Sequence, residues 1–176
     1  AKDPYTQGHT ERVTELCERL GMEFLHDAEE LSALVMAARL HDIGKIGVPE
    51  SILNKTTPLT EEEWMIIRQH PVIADRVLSP VQFLSPARPI VRGHHERLDG
   101  KGYPDGLRGE QLSMAHRIII VADAFDAMSS DRAYRPALTP DQIEAELRKN
   151  AGTQFDPDVA EAMIRLMQED RLLCQV

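Results

Sequence analysis

The sequence predicts an all-α fold, and three features of its 176 residues carry that prediction. Apolar residues recur at helical spacing almost from end to end. Helix-start signatures punctuate the chain at Thr60, Thr139-Pro140 and Asp156-Pro157. Strand signals are weak: the β-branched run Ile118 to Val121 lies inside a longer helical pattern.

Taken in order, Val13, Leu16, Cys17 and Leu20 follow the i, i+3, i+4, i+7 stripe of a first helix, with Gly21 as its expected stop. Leu31, Leu34, Val35 and Ala38 repeat the stripe in a second helix running toward Gly44. Thr60 followed by Glu61, Glu62 and Glu63 reads as an N-cap with a capping box, its acidic residues matched to the helix dipole. Pro71 and Pro80 bracket a short helix, and Ile90 and Val91 lie on another that leads to His94. Met114 to Met128 is apolar enough to be a buried helix. Asp99 to Gly109 holds four glycines and one proline and is a loop. There is no internal repeat and no low-complexity linker, so residues 1–176 read as one compact domain. The first residue is Ala rather than Met, so the expectation is a domain excised from a longer protein with an N-terminal regulatory partner.

Composition narrows the function. Twenty basic against twenty-nine acidic side chains leave a net charge of −9, which argues against a DNA or RNA binder, since such a protein needs basic excess to displace counterions. A small anionic ligand is still admissible, because bound metal ions reverse the sign of a pocket locally. The two cysteines, Cys17 and Cys174, form neither a disulfide framework nor a CxxC zinc site. No stretch has the apolar length of a membrane span and no signal-peptide pattern opens the chain, so a cytoplasmic location is expected.

Five of the seven histidines extend apolar stripes. His9 stands four residues before Val13. His41 and Asp42 continue the face of Leu34 and Ala38. His70 follows Ile66 and Ile67, His94 and His95 follow Val91, and Asp123 follows Ile119 and Ile120. Each should point inward. A single histidine on an apolar face is ordinarily a satisfied core residue, Asp123 alone could be an ion-pair partner, and His26 and His116 fit no such pattern. Several imidazoles and carboxylates converging from separate helices are costly unless paired or metal-bound, and one metal centre accounts for them together. Seven ligands exceed the four of a structural zinc and suit two metals with one bridging carboxylate. Imidazole and carboxylate without thiolate favour iron, manganese or zinc over copper(I). A metal pair of this kind makes a hydroxide nucleophile at neutral pH and clamps phosphoryl oxygens.

Cations follow. Lys45 lies three residues after Asp42 and is either a solvated lysine or a group that stabilises a phosphate or protonates a leaving oxygen. Arg132 and Arg135 follow Asp123 across a turn and are either surface charge or bidentate phosphate ligands. Tyr103, in the Gly-rich loop, can stack on a base, bond a phosphate or simply pack. Asp126, one turn after Asp123, is expected to orient a ligand imidazole, with Asp99 as a further candidate for the same task.

These residues resemble a known family. His41-Asp42-Ile43-Gly44-Lys45 matches the HD signature, and Gly102-Tyr103-Pro104 matches the GYP signature. The runs HDIGKIGVPESILNK, HHERLDGKGYP and ADAFDAMSSDRAYRPA resemble the HD-GYP domain of bacterial cyclic di-GMP phosphodiesterases, in the right order and over nearly the whole chain. The resemblance implies a compact helical HD-domain bundle around two divalent metals, most often iron or manganese, with zinc, nickel, magnesium or cobalt as further candidates. It implies hydrolysis of cyclic di-GMP in bacterial second-messenger signalling, with either linear pGpG or GMP as the final product. Carried over by motif, His9, His41, Asp42 and Asp123 hold one metal, and Asp42 bridges to a second held by His70, His94 and His95. Lys45 contacts the scissile phosphate, so Asp42 and Lys45 are the candidate catalytic residues. Tyr103, Arg132 and Arg135 contact the ligand. Family architecture adds a receiver or sensor domain as partner, and contacts with other signalling domains.

The chain departs from the pattern in places. Tyr5 stands where some members carry a glutamate that supports a third metal, so two metals are expected. Ala74 replaces a common glycine, Leu98 a common tryptophan, and Arg135 a common lysine. Rival readings are a nucleoside triphosphate or alarmone hydrolase of the wider HD superfamily, a hydrolase of a related cyclic dinucleotide, and a catalytically silent interaction module. The GYP loop and His94-His95 oppose the first, and the complete ligand set opposes the last.

Overall fold

The computed structural model describes residues 6–131 and 136–173, so Tyr5, Arg132, Arg135 and Cys174, with the expectations placed on them, lie outside the described residues. Nine α-helices are described: α1 (Thr6–Phe24), α2 (Ala28–Leu40), α3 (Glu50–Leu53), α4 (Glu61–Ile67), α5 (His70–Leu78), α6 (Arg88–Gly93), α7 (Met114–Ser129), α8 (Pro140–Asn150) and α9 (Pro157–Leu173). Short 3₁₀ turns occupy Ile43–Gly47, Gln82–Leu84 and Gly109–Gln111. Among the described residues the only bridges outside helices are Asp99 to Arg108 and Ala151 to Phe155, so the all-α expectation holds.

Helix α7 is the spine. Ile118, Ile119, Ile120, Val121 and Ala122 are all buried, as a helix apolar on every side must be. It packs against α1, α2, α6, α8 and α9. The stripe Val13, Cys17 and Leu20 buries α1 against α2 and α7, and α9 adds Val159, Met163 and Ile164 from the far side. Among the described residues no helix is long and apolar enough to cross a membrane.

The capping signals operate as local chemistry requires. Thr60 and Glu63 form a reciprocal box at the start of α4, and Thr139 and Gln142 form another at α8. Asp156 accepts from the N–H groups of Asp158 and Val159 at the start of α9. His116 proves structural: it bonds the Ser113 hydroxyl and the Pro89 carbonyl, tying α7 to α6.

Gly21 does not stop α1, which runs on to Phe24. A glycine stop needs a left-handed residue, and Gly21 is not among the residues with positive φ. Its role is contact: a Cβ there would sit 2.5 Å from Leu31 Cδ1, so the glycine lets α2 lie close to α1.

Asp42 is also not on α2. That helix ends at Leu40 with His41 as its C-cap, and Asp42 caps the 3₁₀ turn Ile43–Gly47. The turn lies flat on α5 because Gly44 has no side chain. A Cβ on Gly44 would fall on the backbone carbonyl of His70 and lie 2.7 Å from the Ala74 nitrogen. Ala74 is itself fully buried at this contact. Gly44→Ala should therefore cost about 2–3 kcal/mol of stability. Gly47→Ala, which meets only the flexible side chain of Ile73, should cost less. Urea unfolding of both variants checks this, and a Gly44→Ala variant as stable as wild type would contradict it.

Candidate metal centre

Three of the histidines owe their orientation to helix ends. The last carbonyls of a helix have no partner within it. His41 donates Nδ1–H to the Ala38 carbonyl at the end of α2 (2.7 Å), and His70 to the Ile67 carbonyl at the end of α4 (2.7 Å). His94 donates likewise to the Val91 carbonyl near the end of α6 (2.6 Å). Within α1, His9 places its Nδ1 2.7 Å from an oxygen of Asp126. These acceptors take a proton from Nδ1, so each neutral ring presents a bare Nε2.

The Nε2 atoms converge in pairs. His9 and His41 meet Nε2 to Nε2 at 3.1 Å, and His70 and His94 at 3.2 Å. Two neutral imidazoles with both lone pairs facing at this distance repel unless a cation lies between them. At metal–nitrogen distances of about 2.0–2.1 Å, adjacent ligands of one ion stand about 3 Å apart. The donor set therefore fits a metal. Among the described residues two groups have ligand atoms close enough to hold one: His9, His41 and Asp123, and His70, His94 and His95.

Asp42 lies between the groups, buried to 8% exposure. Its Oδ2 is 3.6 Å from His41 Nε2 and 3.7 Å from His9 Nε2, while its Oδ1 is 3.6 Å from His70 Nε2. One carboxylate thus turns an oxygen to each side, as a bridging ligand does. Asp123 is similarly divided, with Oδ1 3.4 Å from His9 Nε2 and Oδ2 3.7 Å from His95 Nδ1. Lys45 Nζ donates to Asp42 Oδ2 at 2.6 Å across the 3₁₀ turn.

The titration behaviour follows from this packing. Burial would raise the Asp42 carboxyl, but His41, Lys45, His94 and His70 hold it well below the usual range. Burial pushes His70 down, His94 far down and His95 down to about 4. His9 is also disfavoured by burial, yet its bond to Asp126 and the charges of Asp123 and Asp42 carry it above its ordinary value.

The structure adds residues that motif reading passed over. Arg12 donates Nε and Nη2 to the two oxygens of Asp126 and reaches the Ser130 hydroxyl, so Asp126 is held while it holds His9. Arg12 is one turn after His9 on α1, a spacing that could have been read as shared-face. Glu96 is 1% exposed and accepts the backbone N–H groups of Asp105, Gly106 and Leu107 at 2.7, 3.1 and 3.0 Å. It ties the Gly-rich loop to the residue after His95. Gly102 is pressed on this same segment, where a Cβ would overlap the Glu96 backbone. Tyr103 comes to lie with its ring 4.9 Å from that of His95.

Asp99 does not orient an imidazole. Its carboxylate is taken by Arg97 at 2.9 and 3.0 Å and by the Lys101 N–H, and the Arg97 bond holds its pKa down to about 2. A short-range partner two residues away outcompeted the distant ring. Beside His94 and His95 opens a cleft of about 230 Å³, with Arg68, Arg97, Lys101, Tyr103 and Gln154 in its lining.

The pKa directions carry a sign. A histidine whose folded pKa is depressed contributes stability that is full above about 6.5, its unfolded value, and falls away as pH drops toward the folded one. His70, His94 and His95 act this way, and His9 alone acts oppositely. The melting temperature of the chelator-treated chain should fall as pH drops from about 6.5 toward about 4. Saturating Mn²⁺ should raise it and steepen the pH dependence, since protons compete for the same nitrogens. A metal-free melting temperature that is flat or rising over that window would contradict the assignment.

Comparisons with known proteins accord with this geometry. The HD domain family model matches residues 1–159. A 3'3'-cGAMP-specific phosphodiesterase 3 of Vibrio cholerae is 41% identical over 93% of this chain and 35% of its own length. The cyclic di-GMP phosphodiesterase response regulator RpfG of Xanthomonas campestris is 39% identical over 98% of this chain and 46% of its own. The chain thus spans about a third to a half of the length of the curated relatives it matches. In fold, an HDG"Y"P protein from Bdellovibrio bacteriovorus superposes with a TM-score of 0.74 over 91% of this chain and 51% of that one, at 17% identity. The chain belongs to the HD domain family, and its two signatures place it in the HD-GYP group.

Proposed function

We propose that this chain is the catalytic domain of a metal-dependent cyclic dinucleotide phosphodiesterase whose substrate is cyclic di-GMP. The observation that carries the reading is the placement of Asp42 between two three-ligand groups, with Lys45 bonded to it at its exposed side. His9, His41 and Asp123 would hold one divalent ion and His70, His94 and His95 the other, with Asp42 shared. Iron or manganese suits this mixed imidazole–carboxylate set. Two such ions supply an acidified water as nucleophile and neutralise charge on the phosphodiester.

The chain's own groups do the rest. Arg12 and Asp126 hold His9 in one tautomer and one orientation. Lys45 is 29% exposed, so its ammonium can turn from Asp42 to a phosphate oxygen or to the leaving 3′ oxygen. Water attacks phosphorus in line, the bond to the 3′ oxygen breaks, and that oxygen leaves as a hydroxyl. The product is linear pGpG, and a second hydrolysis gives GMP. Tyr103 is placed to meet the ligand beside His95. Arg132 and Arg135 are proposed to join it.

The relative at 41% identity favours a second substrate, 3'3'-cGAMP, which offers the same two phosphodiesters with one adenine in place of guanine. One relative is named a response regulator, and we propose that the full protein likewise carries a receiver or sensor domain and works in the cytoplasm.

The Mn²⁺-loaded chain incubated with cyclic di-GMP should yield pGpG on chromatographic separation. Lys45→Ala should keep its metal content but lose about 100-fold in turnover. Equal turnover in that variant would remove Lys45 from the reaction. A metal-loaded chain that hydrolyses only 3'3'-cGAMP would move the function to the second substrate.

A further inference from the structure

Most arginines in this acidic chain are spoken for. Eight of them, among the described residues, have a carboxylate within ion-pair distance. Arg68 and Lys101 have none there. What separates these two from the other unpaired cations is position: both line the cleft beside His94 and His95. The same lining holds two carboxylates, but Glu96 is taken by three loop N–H groups and Asp123 belongs to a candidate metal group, so Arg68 and Lys101 are exposed cations of this cleft with no acid partner of their own.

Arg68 is also held in place. Its guanidinium carbon lies 5.8 Å from the Trp64 ring and 5.6 Å from the Tyr103 ring. Both distances fall within the range of cation–π attraction. An arginine steadied by nearby rings loses less side-chain entropy when it grips an oxyanion. Tyr103 in turn packs on His95, so the guanidinium stands one ring away from a candidate metal ligand. Lys101 is in the same loop, two residues before Tyr103, with its backbone N–H fixed by Asp99. The cleft, at about 230 Å³, is smaller than the 300 Å³ or so of a full small-ligand pocket, so it takes part of a ligand rather than all of it.

We propose that Arg68 and Lys101 form an anion subsite that binds the second phosphodiester of a cyclic dinucleotide, the one not being cut. This rests on the cyclic dinucleotide reading above. A macrocycle with two phosphates needs two anion sites: Lys45 and the metal pair serve the scissile phosphate, and the Arg68–Lys101 cleft serves its partner. The subsite makes the enzyme selective for substrates carrying a second phosphate over simple phosphodiesters.

The test compares two substrates in the Mn²⁺-loaded chain: cyclic di-GMP, with two phosphodiesters, and bis(p-nitrophenyl) phosphate, with one. Both side chains are exposed, so Arg68→Gln and Lys101→Gln should fold, and melting temperature checks this. Each substitution should raise KM for cyclic di-GMP by about tenfold, the order of one lost charge-assisted hydrogen bond. The KM for bis(p-nitrophenyl) phosphate should shift far less, so the ratio of the two changes. Arg68→Lys, which keeps the charge but loses the planar ring-braced fork, should recover only part of the cyclic di-GMP affinity, and the salt dependence of its KM should flatten in the Gln variants. If wild type cleaves cyclic di-GMP and the Gln variants keep its KM, or lose both substrates equally, the subsite is wrong and the enzyme reading stands. If wild type cleaves bis(p-nitrophenyl) phosphate but no cyclic dinucleotide, the substrate reading falls and the subsite falls with it.

Discussion

Asp42 is buried, ionised and divided, with one oxygen turned to His9 and His41 and the other to His70. A buried carboxylate stays charged only with positive charge close by, and Lys45 is the charged partner that contacts it. Much of the surrounding structure follows from that requirement. The break between α2 and the 3₁₀ turn lifts Asp42 off the helix and points it inward. Gly44 lets the turn lie against α5, which brings His70 to within reach. Lys45 comes back over the turn to the carboxylate from its exposed side.

The histidines obey a related economy of backbone groups. His41 and His94 cap helix C-termini and His70 opens the helix that follows one, and each uses Nδ1 to satisfy a carbonyl at the end of the preceding helix. The side that faces the centre is then Nε2 without a proton, suited to a metal. The loop is bound to the same centre. Glu96 follows His95 directly and gathers three backbone N–H groups of the loop, so the ring of Tyr103 and the cations near it are positioned relative to the ligands by a single buried carboxylate. Holding candidate metal ligands and the Gly-rich loop on one short segment keeps the geometry common to both.

The candidate ligand set is legible in the sequence because imidazoles and carboxylates extending apolar stripes have few reasons to be there. Their grouping was visible only through motif resemblance, since the contact of α1 with α2 and the path of α4 to α5 are tertiary facts. Helical periodicity misplaced Asp42 and His70 as continuations of helices, because a helix end and a helix interior share the same i, i+3 spacing. Gly21 was misread for the opposite reason: a glycine that serves close packing looks the same in sequence as one that ends a helix. Asp99 was a competition that local geometry decided in favour of Arg97. Arg12, Glu96 and Arg68 escaped notice because single charged residues on an amphipathic pattern carry no signal of what they face.

The central claim is that two metals flank Asp42, and diffraction from crystals grown with Mn²⁺ tests it most directly. Anomalous difference maps should show two peaks per chain about 3.5–4 Å apart, one on each side of the Asp42 carboxylate. The first should lie against His9, His41 and Asp123, and the second against His70, His94 and His95. A single peak, or peaks away from Asp42, would contradict the account.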